Sequence, residues 1–121
     1  MPALGHLFTP PAAATIPAPV LALLAAPKTI GGVLRRGIRA RVSCPGAECF
    51  SEIELELGTT PLAAAEASIG PDGRKTFVLR PRGNRRALLE RRTTARLQTH
   101  ALVLQPSGKR TRLVRSVNVR R

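Results

Sequence analysis

The stretch "IRARVSCPGAECFSEIELELG", residues 38–58, consists of two alternating segments joined by a short loop with a cysteine at each end. In the first segment Ile38, Ala40 and Val42 alternate with Arg39, Arg41 and Ser43; in the second Ile53, Leu55 and Leu57 alternate with Glu52, Glu54 and Glu56. Successive side chains of a strand point to opposite faces, so a period of two with apolar residues on one side marks strands with one face in the core and one in water. The intervening "PGAE" is turn chemistry. This stretch therefore predicts β-structure, and the rest of the chain is read outward from it.

Short apolar runs of strand length, punctuated by Gly and Pro, continue in both directions, the pattern of an all-β sandwich. Strands are expected at "VLALLA" (20–25), 38–44, 51–58, "PLAAAEASIG" (61–70), "KTFVLRP" (75–81), "TTARLQTHALVLQ" (93–105) and "RTRLVRSVNV" (110–119). The Ala-rich fourth segment also suits a helix, but Pro61 before it and "GPDG" after it fit a strand ended by a turn. Phe77 and Leu79 are expected inward on the fifth strand, Ala95, Leu97, Ala101 and Val103 on the sixth, and Val117 and Val119 on the seventh. "KTIGGVLRRG" (28–37) reads as a Gly-rich corner containing one helical turn. One helix is predicted, "GNRRALLERR" (83–92), with Asn84 as amino-terminal cap, an apolar stripe of Ala87, Leu88 and Leu89, and Arg91 and Arg92 at the carboxyl end. Residues 1–17, "MPALGHLFTPPAAATIP", are Pro- and Ala-rich without periodicity and read as an extended arm or linker preceding a domain over 18–121.

Composition sets further bounds. A chain of 121 residues suits one domain. Apolar residues make up 43% of it but the only aromatics are three Phe, so the core must be aliphatic. The net charge is +13, and it is lopsided: residues 71–121 hold fifteen basic side chains against Asp72 and Glu90, while residues 1–70 hold five of each sign. Such a surface draws phosphate, anionic lipid or acidic glycan. No stretch approaches the roughly 20 apolar residues a membrane-spanning helix needs. The run "APVLALLAA" (18–26) does not read as a signal peptide, because no Lys or Arg precedes it and Pro10, Pro11, Pro17 and Pro19 break it.

Strands throughout, with one helix between the fifth and sixth, give an order that resembles the immunoglobulin-like or fibronectin-like β-sandwich module of secreted and surface proteins in high-GC Gram-positive bacteria. The resemblance rests on "APKTIGGVLRRGIRARVSC" (26–44), Cys49, "NRRALLERR" leading into "TARLQTHALVL", and the turn "PSGK" before a terminal strand ending "VNVRR". It covers residues 18–121, and departs from the usual pattern where "QPSGK" (105–109) replaces a "DAAGN"-like turn. It implies an immunoglobulin-like antiparallel sandwich of about seven strands, without an active site.

Cys44 and Cys49 are the only cysteines. With four residues between them at adjacent strand ends they fit the Cα separation of a disulfide, which requires an oxidising compartment. A zinc site would need His6 and His100 to converge on the pair, and a redox pair would prefer C-x-x-C at a helix start. Reduced thiols in a cytosolic protein are the remaining alternative. The disulfide reading places the chain outside the cytoplasm or on a cell surface.

The carboxylates Glu52, Glu54 and Glu56, joined by Glu48, raise the question of a calcium site. Their face is expected to be solvated, and the third and sixth strands are neighbours in the immunoglobulin topology. Cross-strand pairing with Arg96, next to Gln98 and His100, is therefore the simpler use. His100 falls out of phase with the core. Asp72, the only Asp, lies in a turn, and no Ser stands in a nucleophile elbow, so neither catalytic residues nor a cofactor or metal are predicted.

Arg82, Arg85, Arg86, Arg91 and Arg92 form the candidate anion-binding cluster, while Arg110, Arg112, Arg120 and Arg121 flank the last strand. Nucleic acid is one possible partner, but there is no Trp or Tyr to stack bases and no DNA- or RNA-binding motif. Arg outnumbers Lys seventeen to three, as a GC-rich genome would encode whatever the function. The function expected is that of a non-catalytic structural or binding module making protein or glycan contacts at a cell surface or in an assembly. The alternatives are a basic nucleic-acid-binding protein, and a decoration or cement subunit of a viral shell or filament that clamps its neighbours with the amino-terminal arm.

Overall fold

The alternating segments become two packed antiparallel sheets in the computed structural model, which describes residues 17–121. The expected arm, apart from Pro17, and His6 with it, lies outside the described residues. In chain order the elements are β1 (Val20–Ala25), α1 (Ile30–Arg36), β2 (Ile38–Cys44), β3 (Cys49–Leu57), β4 (Thr60–Ile69), β5 (Gly73–Leu79), α2 (Asn84–Glu90), β6 (Thr94–Leu104) and β7 (Arg110–Arg120). One sheet has the order β1-β2-β5 and the other β4-β3-β6-β7. All seven expected strands are present.

The central strands β2, β3 and β6 supply the middle of the core. Ile38, Ala40 and Val42 on β2, Ile53 and Leu55 on β3, and Leu97, Thr99, Ala101 and Val103 on β6 are buried, while the residues that alternate with them are exposed or half-buried. Ala40 lies directly opposite Phe77 of β5, so a small side chain sits beside the one aromatic ring buried among the described residues. Val119 of β7 is buried and Val117 packs half-buried against the same core.

The Ala-rich segment is a strand for a reason of packing. Helix propensity favours Ala by less than about 1 kcal/mol per residue, whereas burying Leu62 and Ile69 contributes about 1.5–3 kcal/mol each. A bulge opposite Leu55 and Glu56 leaves Leu62 unpaired in the ladder and lets it join Ala63 on the inner side.

Three differences from the sequence reading concern the connections. Residues 30–36 form a seven-residue helix rather than a single turn, so the described chain has two helices and not one. Thr29 caps α1 by accepting from the Gly32 N–H (3.0 Å), and Gly37 ends it at φ 73°, where a Cβ would lie 2.7 Å from the Leu79 carbonyl oxygen. In α2 the cap position is Gly83, not Asn84; Asn84 is the first helical residue and makes no capping bond. The expected stripe narrows to Leu89, which is fully buried, because a helix this short on the sandwich surface turns only one residue inward.

Cys44 and Cys49 form a disulfide with a Cα separation of 6.3 Å. They end β2 and begin β3, which belong to different sheets, so the bond pins the two layers together at one pole. The Gly46 N–H within the loop donates to Asp72 Oδ1 (2.6 Å), tying this crossover to the turn between β4 and β5. Asp72 adopts φ 58°, a left-handed conformation that Asp tolerates better than most residues.

Two stability changes are expected. Replacing both cysteines with Ala should lower the unfolding free energy by roughly 2 kcal/mol, the chain-entropy value for so small a loop, read as a lower urea midpoint. Thr99 has the opposite sign: its side chain is 1% exposed and its Oγ1 has no hydrogen-bond partner. Thr99→Val removes an unsatisfied hydroxyl at constant shape and should raise stability by about 1 kcal/mol.

Candidate functional site

The two helices lie at the pole opposite the disulfide, because the β1–β2 and β5–β6 connections both cross there. The topology therefore gathers charge that the sequence scatters. The β1–β2 connection brings Lys28, Arg35 and Arg36; residues 80–93 bring six arginines with Glu90 as their only acid; the carboxyl end brings Arg120 and Arg121. The basic surface is consequently a pole of the sandwich and not a property of the second half of the chain alone.

Several of these arginines act as tethers. Arg86 Nη1 donates to the Leu34 carbonyl of α1 (2.8 Å), and its Nε lies 3.7 Å from Glu90. Arg85 donates to the Pro61 carbonyl of β4. Arg80 Nη1 reaches the Arg35 carbonyl (3.1 Å), and Arg121 Nη2 reaches that of Glu90 (3.4 Å). A guanidinium with five donors is suited to satisfying orphan carbonyls at helix ends and strand starts. Of the five residues proposed from sequence as anion ligands, Arg85 and Arg86 are thus engaged within the fold. Arg82, Arg91 and Arg92 are exposed and make no side-chain hydrogen bond among the described residues.

Arg92 has different company from that expected. It lines an open groove of about 930 Å³ together with Lys28, Arg96 and Arg120. No carboxylate lines this groove; its remaining polar groups include the hydroxyls of Thr94 and Ser116 and the amide of Asn118, over a floor that includes Leu57 and Val117. The Arg120 N–H donates to the Lys28 carbonyl (3.2 Å), and Thr29 and Arg120 form a parallel bridge, which holds the β1–α1 linker beside the end of β7. Arg96 Nη2 approaches Ser116 Oγ at 3.5 Å. Lys28, Arg92, Arg96 and Arg120 are separated by up to 92 residues, so no spacing in the sequence announced them. The available signal was topological: each lies at or within three residues of a strand end at the same pole.

The acidic row on β3 behaves differently from the expected Glu–Arg pairing. β3 and β6 are neighbours as anticipated, but Arg96 lies past the last paired residues, Leu57 and Leu97, is not directly opposite any of the glutamates, and makes no ion pair with them. The partner used is His100, whose Nδ1 lies 3.0 Å from Glu56 Oε1. Glu52 and Glu54 remain exposed. Among the described residues no group of three or more His, Cys, Asp or Glu is placed to hold a metal ion, and no helix is long and apolar enough to cross a membrane.

Compared with models of known protein families and with curated proteins, the chain matches none.

Separating tethers from surface charge gives a direct prediction. Arg86→Ala should cost about 1–2 kcal/mol of stability, since a charge-assisted bond to a partly buried carbonyl is lost, whereas Arg82→Ala and Arg91→Ala should stay within about 0.5 kcal/mol of the parent. Urea unfolding of the three variants distinguishes them.

Proposed function

We propose that this chain is a non-catalytic, immunoglobulin-like binding module that works outside the cytoplasm and holds an anionic glycan at its helix-bearing pole. The observation that carries the proposal is the groove ringed by Lys28, Arg92, Arg96 and Arg120 without a single carboxylate. Four cations around a concave surface focus a positive potential on it, and the hydroxyl and amide groups beside them suit sulfate or carboxylate oxygens and sugar hydroxyls.

Strand connectivity supports the immunoglobulin-like assignment. In the constant-type domain the first, second, fifth and fourth strands share a sheet and the third, sixth and seventh form the other. Here β4 has moved across to pair with β3, leaving β1-β2-β5 against β4-β3-β6-β7. The extracytoplasmic location is supported by the Cys44–Cys49 disulfide, a bond that cytosolic reductants oppose.

A polyanionic glycan is preferred to nucleic acid because no aromatic side chain among the described residues lines the groove, and single-stranded nucleic acids draw much of their affinity from base stacking. Titration of the full chain with a sulfated polysaccharide, a neutral polysaccharide, single-stranded DNA and duplex DNA tests the proposal. Binding to the sulfated glycan should weaken steadily with salt, and replacing Lys28, Arg92, Arg96 and Arg120 with Gln should lower affinity by about tenfold or more and flatten the salt dependence. Tighter binding to DNA than to the glycan, or an undiminished affinity in the fourfold variant, would overturn it.

A further inference from the structure

The outer face of the four-stranded sheet is electrically two-sided. The ladder registers place Glu66, Glu52, Leu102 and Arg112 in one row across β4, β3, β6 and β7. The row above it reads Ser68, Phe50, Leu104 and Arg110, and the row below Ala64, Glu54, His100 and Val114. Carboxylates therefore occupy the β4–β3 side and guanidiniums the β7 edge. Between them β6 contributes Leu102, half-buried, and Leu104, 40% exposed, and Phe50 on β3 and Val114 on β7, half-buried and 39% exposed, extend these into an apolar patch. A depression of about 210 Å³ lined by Glu52, Glu54, His100, Leu102 and Arg112 separates the two flanks.

We propose that this face is the interface of a symmetric dimer, in which Arg112 of each copy meets Glu66 and Glu52 of the other. A two-fold axis lying in the interface and parallel to the strands sets β7 over β4 and β6 over β3 while keeping the rows level. The acidic flank of each copy then covers the basic flank of its partner, and the apolar patches meet in the middle. An isologous contact requires such self-complementarity.

The monomer also carries an unresolved conflict that this arrangement relieves. Glu52 stands directly opposite Glu66 in the β3–β4 ladder, and like charges in that position repel. Neither makes an ion pair among the described residues. In the dimer each such pair of carboxylates receives a partner's arginine. The face is also large enough: four strands about 4.8 Å apart, nine to eleven residues long at about 3.4 Å per residue, give on the order of 600–700 Å² per copy. A standard interface buries about 800 Å² per partner.

Sedimentation velocity of the full chain and two charge-reversal variants tests the proposal. The parent should sediment increasingly, as concentration rises, as a species of twice the 12.9 kDa monomer mass. Glu66→Arg and Arg112→Glu should each weaken self-association by about tenfold or more, because each replaces attraction with repulsion twice per dimer. Mixing the two variants should restore it, since the mixed pair matches Arg against Glu at both positions. Circular dichroism of each variant checks that the fold is kept, and recovery on mixing cannot arise from misfolded chains. A parent that stays monomeric at every concentration up to its solubility limit overturns the proposal. So does a mixture that associates no better than its components.

Discussion

The inward side chains of β2, β3 and β6 form one mainly aliphatic layer between the two sheets, and every other feature of the molecule is placed by it. Because the chain has only three aromatics, none of them Trp or Tyr, this layer depends on close packing of Ile, Leu, Val and Ala in two facing rows. Such rows exist only if each strand keeps its register, since a slip of one residue would turn all of its apolar side chains outward. The arginines and glutamates between them are outside for the same reason that the core is inside.

The two poles of the sandwich are closed by different chemistry. At one, a disulfide and the Gly46–Asp72 hydrogen bond join neighbouring crossovers through a covalent link and a short polar contact. At the other, two short helices fill the connections, and arginines from one connection satisfy carbonyls of another. Part of the Arg-rich character of the chain is therefore structural. Among the arginines that do not act as tethers, Arg92, Arg96 and Arg120 line an open groove with Lys28, and that group carries the proposed binding of an anionic glycan.

The charges on the outer sheet face have a separate logic. A strongly cationic protein with a carboxylate row directly against another glutamate retains a local cost that the fold itself does not offset. Its partition from the basic edge by Leu102 and Leu104 of β6 gives the face polarity and a direction. The groove takes Arg96, Ser116 and Asn118 from the outward side of the same β6–β7 pair, at the end of the face away from Leu104 and Arg110.

Period-two alternation made the strands legible in advance, because whether a residue faces core or water is a local property of a pleated chain. The strands at 38–44 and 51–58 and the inward set on β6 followed from it, while the Ala-rich strand was read from Pro61 and the turn after it and the disulfide from the spacing of the two cysteines. The helix α1 was under-read because Gly31 and Gly32 look like a turn, although Gly32 is buried where a Cβ would lie 2.7 Å from Pro27. Asn84 was misread as a cap because capping depends on backbone angles that composition does not fix. The groove around Lys28, Arg92, Arg96 and Arg120, the tethering roles of Arg85 and Arg86, and the pairing of Glu56 with His100 rather than Arg96 were decided only by tertiary structure. They depend on which strand ends meet and in what register, and those are set by the whole core at once rather than by any segment of the chain.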